Sequence, residues 1–138
     1  MADLVIRGGR RLSGRVAVEG NKNAALPLLA ACLLTEETCE LLNVPRIRDV
    51  GVMIELLRSL GAHVEGEGTP TVRVTCRDVR SSEPNPALVG RLRGSVLLLG
   101  SVLGRTGTAR LAAPGGDFPA RRTIVTHLRA LRAMYEHA

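Results

Sequence analysis

Three stretches hold residue types that can grip an anion or move a proton. The first is Gly115-Gly116-Asp117-Phe118-Pro119-Ala120-Arg121-Arg122. Glycine frees the backbone for close approach to a ligand. A carboxylate beside guanidinium groups can handle a proton next to a bound anion. The same residues also fit a solvated turn with a surface ion pair. The second stretch, Gly20-Asn21-Lys22-Asn23, stands at a predicted helix start, where backbone N–H groups and the helix dipole favour an anion. Lys22 there is either a phosphate ligand or a surface lysine in a turn. The third is Arg93, also at a predicted helix start, with Arg91 as its neighbour. It is either a cleft residue or an exposed helical arginine. His127 reads as a partly buried, hydrogen-bonded residue, and His63 and His137 suggest no chemistry.

The bulk composition narrows the partners. The chain has 138 residues, enough for one domain with a core, and 45% hydrophobic against 23% charged residues is ordinary for a soluble protein. Phe118 and Tyr135 are the only aromatics, so the core is aliphatic and base stacking on single-stranded nucleic acid is not expected. Net charge is +6, and Lys22 is the only lysine. Arginine suits bidentate binding of phosphate and carboxylate, although a GC-rich genome gives the same bias. Small anions fit this charge; no basic helix or other nucleic-acid motif stands out. Three cysteines, Cys32, Cys39 and Cys76, without paired spacing argue against a disulfide framework or a zinc site. The longest apolar run, Ala24 to Leu34, has 11 residues and is too short to span a bilayer. The N-terminus lacks the shape of a signal peptide. A reduced, cytoplasmic setting without membrane contact is expected.

Elements that position these residues follow from pattern. Leu4-Val5-Ile6 and Arg15 to Glu19 read as a hairpin. A helix is predicted from Ala24 to Leu34, capped by Asn23 or Asn21, with Pro27 tolerated in its first turn. Thr38 to Val44 reads as a strand stopped by Pro45. Asp49 is the expected cap of a helix from Val50 to Leu60, whose buried face carries Val52, Leu56, Leu57 and Leu60, with Gly61 just beyond its end. Ala62 to Glu65 and Thr71 to Thr75 form another hairpin. Arg80 to Pro86 is a linker. A helix from Ala87 to Leu103, interrupted around Gly94 and Gly100, a strand from Thr108 to Ala112 and a helix from Thr123 to Ala133 complete the chain.

An internal repeat runs through this order. Asn23 to Leu41 aligns with Arg93 to Leu111 at an offset of 70, and Leu57-Arg58-Ser59-Leu60 with Leu128-Arg129-Ala130-Leu131 at an offset of 71. The unit is βαβαββ-like, and the second copy stops where its hairpin would begin. Such a module leaves one sheet face open unless another covers it, and the unfinished second copy predicts marginal stability or association through an exposed apolar face.

Taken together, Gly20-Asn21-Lys22-Asn23-Ala24-Ala25-Leu26-Pro27, Asn43-Val44-Pro45, Leu57 to Ala62, Leu92-Arg93-Gly94-Ser95 and Pro114-Gly115-Gly116 resemble the enolpyruvyl transferases, in particular the branch acting on UDP-N-acetylglucosamine. The similarity runs from about Leu4 to Ala133. It implies an α/β (α+β) fold, an inverse α/β barrel of repeated βαβαββ modules that is incomplete here. Residues 1–20 would belong with a second domain, and residues 21–138 would make about two modules of the first, the second truncated.

The resemblance also implies a reaction. The enolpyruvyl group of phosphoenolpyruvate passes to the 3-hydroxyl of UDP-N-acetylglucosamine, phosphate leaves, and no metal or organic cofactor takes part. This is the first committed step of peptidoglycan synthesis. Lys22 matches a lysine that contacts phosphoenolpyruvate, Arg93 and Arg122 match arginines that grip its anionic groups, and Asn23 matches a residue that orients the sugar. Asp117 falls where most members carry the cysteine attacked by the epoxide fosfomycin, which implies a carboxylic proton donor and insensitivity to that antibiotic. After Arg122 the family usually has Pro-Val-Asp-Leu-His, whereas this chain has Thr123-Ile124-Val125-Thr126-His127. Two alternatives therefore stand beside the main expectation. One is a transferase of antibiotic biosynthesis acting on another nucleotide. The other is a non-catalytic remnant that binds an anion or a partner, since the family's base lies in a second domain that this chain lacks.

Overall fold

The computed structural model describes residues 4–115 and 123–135. Its centre is a helical pair laid on a small antiparallel sheet. Helix α1 (Lys22–Ala31) runs into a 3-10 turn (Cys32–Leu34), followed by β1 (Cys39–Leu42), α2 (Arg48–Ser59), β2 (His63–Glu65) and β3 (Thr71–Thr75). Strand order is β1-β3-β2, with Cys39 opposite Val74 and Val64 opposite Val74 on the other side.

Helix α1 starts where the asparagine loop predicts. Asn21 is its N-cap: its side-chain oxygen accepts from the Asn23 backbone N–H at 2.7 Å, satisfying one of the orphan donors of the first turn. Just before it, Gly20 lies so close to the Asn43 carbonyl that a Cβ there would collide with it. This approach seats the start of α1 against the turn at Asn43-Val44-Pro45.

Helix α2 follows its 3.6-residue period. Val52, Met53, Leu56 and Leu57 are fully or almost fully buried. The helix ends in a Schellman motif: the Ala62 N–H reaches the Leu57 carbonyl and the Gly61 N–H that of Arg58, both at 3.0 Å, with Gly61 at φ +106°. Asp49 does not cap it. Ile47 occupies the cap position, and Asp49 sits in the first turn, where its charge complements the dipole.

The sheet is covered on one face only. Val64, Val72 and Val74 point into the core with α1 and α2. The opposite face is polar, with Arg73 paired to Glu40 at 2.6 Å and His63 to Glu65 at 3.1 Å. Leu42, beside Glu40 on that face, is 70% exposed. Further exposed apolar side chains gather in the N-terminal stretch, where Leu4, Val5, Ile6, Leu12, Val16 and Val18 are all exposed. The predicted hairpin does not form there. Alternation makes a strand possible, but only a partner's backbone makes it a strand.

The long helix expected from Ala87 is broken into three pieces: α3 (Pro86–Val89), a 3-10 segment (Arg93–Leu97) and α4 (Leu98–Thr106). The break falls at Gly90-Arg91-Leu92 rather than at Gly94 or Gly100, because Leu92 is extended at φ −139°. Thr108 to Ala112 forms no strand; the Arg110 N–H donates to the Ser82 carbonyl at 2.9 Å and ties the segment to the linker. Helix α5 (Val125–Tyr135) closes the described chain, close to the predicted Thr123 to Ala133.

Arg105 fastens the two regions together. Its guanidinium donates to the carbonyls of Leu33 (2.7 Å), Cys76 (3.2 Å) and Arg77 (2.6 Å), joining α4 to the end of the α1 segment and to the chain after β3.

Candidate functional site

The start of α1 and the start of the 3-10 segment face one cleft of about 640 Å³, lined by Lys22, Asn23, Asp49, Arg91, Arg93 and neighbouring apolar residues. Three of the residues singled out in the sequence, Lys22, Asn23 and Arg93, thus meet although 70 positions separate Asn23 from its repeat partner. Gly94 packs closely on α1 at this point. A Cβ at that position would come within 2.9 Å of the Leu26 Cδ1 atom of α1.

Lys22 is held in this cleft by a residue that sequence reasoning assigned elsewhere. Its Nζ donates to Asp49 Oδ2 at 2.9 Å, with side-chain exposures of 50% and 36%. At that exposure the pair adds under about 1 kcal/mol to stability. Its use is geometric: a carboxylate on the first turn of α2 aims the ammonium across the cleft mouth. No local pattern reveals this contact, because 27 residues separate the partners.

Arg91 enters the site as well. Its Nη1 donates to Glu55 Oε2 on α2 at 2.9 Å. With Lys22 and Arg93 it brings three cationic side chains into the lining, Lys22 paired to Asp49 and Arg91 to Glu55.

The glycine-rich loop takes off from the same place. The Gly115 N–H donates to the Val89 carbonyl at 3.0 Å, and a Cβ on Gly115 would collide with the Gly90 carbonyl. Only glycine fits there. Buried Ser95 shares that Val89 acceptor at 3.4 Å. Asp117, Arg121 and Arg122 themselves lie outside the described residues.

His127 differs from expectation. It is exposed on α5 rather than partly buried. The cysteines behave as packing residues. Cys32 and Cys76 are buried, and Cys39 is half-buried. Burial pushes the Cys32 thiol up to about 12, with the neighbouring Cys39 adding to the effect. The Cys76 thiol is also raised by burial, partly opposed by the Arg105 charge. Neither is a thiolate nucleophile near neutrality. Among the described residues, no helix is long and apolar enough to cross a membrane.

Fold and site together define a mixed α/β module in which the starts of α1 and of the 3-10 segment place Lys22 and Arg93 on one cleft. Comparison with known proteins gives that class a family. The model of the EPSP synthase (3-phosphoshikimate 1-carboxyvinyltransferase) family matches residues 6–136, and the chain belongs to that family. It is 45% identical over 130 residues to the UDP-N-acetylglucosamine 1-carboxyvinyltransferase of Bradyrhizobium diazoefficiens, covering 94% of this chain and 30% of the relative. To the protein of the same name from Desulfosudis oleivorans it is 46% identical over 134 residues, covering 97% and 32%. Among solved structures it is similar to the enolpyruvyl transferase NikO from Streptomyces tendae, with a TM-score of 0.66 and 36% identity over 77% of this chain and 25% of that one. The chain therefore spans about a third of the length of these curated relatives.

Proposed function

We propose that this chain carries the phosphoenolpyruvate side of an enolpyruvyl transferase that uses UDP-N-acetylglucosamine as acceptor, in the cytoplasmic synthesis of peptidoglycan. The observation that supports it is the single cationic cleft of Lys22, Asn23 and Arg93, with the root of the glycine-rich loop at its edge. The shared name of its relatives supports the acceptor.

In this reading Lys22, Arg93 and Arg122 hold the phosphate and carboxylate of phosphoenolpyruvate. Asn23 orients the sugar. The acceptor 3-oxygen bonds to C2 while Asp117 delivers a proton to C3, and the hydroxyl proton passes to a base. Elimination reverses the C3 protonation and breaks the bond from C2 to the phosphate oxygen, releasing phosphate. A carboxylic acid performs this transfer when burial or substrate charge raises its pKa. That base, and further cations, come from outside these residues. In the same reading residues 21–138 contribute about two βαβαββ modules of a first barrel domain, and the exposed apolar stretch from Leu4 to Val18 adds to a second domain.

The test is phosphate release by the intact gene product given phosphoenolpyruvate and UDP-N-acetylglucosamine. Turnover that Asp117→Ala abolishes, and that fosfomycin leaves without time-dependent loss, is the expected result. Time-dependent covalent labelling of Asp117 by fosfomycin overturns the expected insensitivity. A second acceptor is favoured by one observation, Thr123-Ile124-Val125-Thr126 after Arg122. Turnover with a different nucleotide alone decides for it.

A further inference from the structure

We infer that Arg91 is an additional phosphoryl-binding residue of the cleft, held ready by Glu55 and released to the ligand when one binds. The inference rests on the functional reading above only for the identity of the ligand; the binding itself stands on the cleft.

Four observations converge on it. Arg91 lines the cleft together with Lys22 and Arg93. Its visible side-chain partner is Glu55, through one nitrogen at 2.9 Å, and both side chains are 43% exposed. A guanidinium carries five N–H donors in a fixed fork, so that single bond leaves most of them available. An ion pair this exposed is weak and exchanges readily for a phosphate.

The repeat shows why the position is open for this role. Arg91 stands where Asn21 stands in the first unit, just as Arg93 stands where Asn23 does. Asn21 must cap α1. The 3-10 segment after Arg91 has Leu92 at its cap and no side-chain cap bond, so residue 91 is not needed for that purpose. The Arg91 backbone also seats the loop root, since its nitrogen lies 3.0 Å from the position of a Cβ on Gly115. Its side chain reaches Glu55 of α2, while its backbone adjoins Gly115 at the root of the glycine-rich loop. A phosphoryl group of either substrate, the enol phosphate or the acceptor diphosphate, presents the oxygens it can take.

The experiment compares the intact gene product with Arg91→Ala, Arg91→Lys and Glu55→Gln, measuring inorganic pyrophosphate binding by calorimetry. Loss of one charge-assisted phosphate contact weakens binding about tenfold in Arg91→Ala, with Arg91→Lys recovering part of it. Glu55→Gln removes the competing carboxylate and tightens binding about twofold to threefold. Equal affinities in all four proteins, absence of pyrophosphate binding by the unaltered protein, or weakening by Glu55→Gln to the level of Arg91→Ala each overturn the inference. The last result would mean that the pair is only a structural tie. Arg91→Lys keeps the charge on an exposed site and guards against a folding defect in the alanine variant. These outcomes do not depend on turnover, so failure of the transferase assay is read separately. Where turnover is present, a raised KM for phosphoenolpyruvate or for the acceptor alone identifies which phosphoryl group Arg91 touches.

Discussion

Residues 22–75 and residues 93–135 are related by the sequence repeat but reach different degrees of burial. Leu57 and Leu60 of the first unit are 0% exposed, whereas their counterparts Leu128 and Leu131 are only half-buried. No buried side chain is described on α5, while α2 has six. Cys39 to Leu42 is a paired strand; the matching Ala109 to Ala112 is not a strand. The difference lies in what surrounds each unit. The first owns a hairpin, β2 and β3, that pairs β1 and gives α2 a surface to cover. Among the described residues nothing plays that part for the second. Similar local sequence thus yields a core in one place and a surface helix in the other, because burial energy exists only where there is something to bury against.

The largest expected effect breaks the comparison directly. Leu57→Ala should lower stability by about 3 kcal/mol, as buried leucine truncations do, and Leu128→Ala by less than about 1 kcal/mol. Urea denaturation of the two variants checks this, and equal losses would mean that α5 is packed as firmly as α2. Next is the tie between the regions. Arg105→Ala leaves three carbonyls without their donor and should cost about 2 kcal/mol. Arg105→Lys should recover only part, since an ammonium cannot fork. Faster hydrogen exchange in α4 than in α2 would locate the loss at this junction.

Alkaline pH gives a smaller, graded effect confined to the first unit. The folded Cys32 thiol titrates near 12 against an ordinary 9.0. Between those values the unfolded chain releases a proton that the folded chain keeps, so stability is intact below pH 9 and falls as pH rises above it. One thiol gives a slope of at most about 1.4 kcal/mol per pH unit. Cys32→Ala should flatten the decline measured by denaturation from pH 8.5 to 10.5, and an unchanged slope would assign it to other groups. The smallest effect concerns the cleft. Asp49→Asn should change stability by under about 1 kcal/mol, because the pair is half in water. Pyrophosphate affinity should nonetheless move measurably, since the substitution alters both the charge and the aim of Lys22.

Much of the first unit is legible in its residues. The period of α2, Gly61 beyond its end, the Asn21 cap and the hairpin from His63 to Thr75 are local features, and each is found where its pattern places it. Legibility falls where the outcome depends on a distant partner. Leu4 to Val18 alternates as a strand does and finds no strand to pair with. Asp49 has the type and place of a cap, yet it turns to a lysine on another helix. Arg91 had one readable signal, its place opposite Asn21 in the repeat.

The sequence by itself determined the family, through the lysine–asparagine loop, the repeat and the Pro-Gly-Gly turn, because those residue types answer to local backbone and charge requirements. It also determined the amphipathic face of α2, which needs only a period of 3.6 residues. The tertiary structure alone decided that Lys22, Asn23 and Arg93 share a cleft, that Asp49 and Arg91 join them, and that Arg73 pairs with Glu40 on the outer sheet face. Such contacts arise between segments whose approach is set by packing, by the fit of Gly94 against Leu26 and of Gly115 against Gly90, and not by any short run of residues.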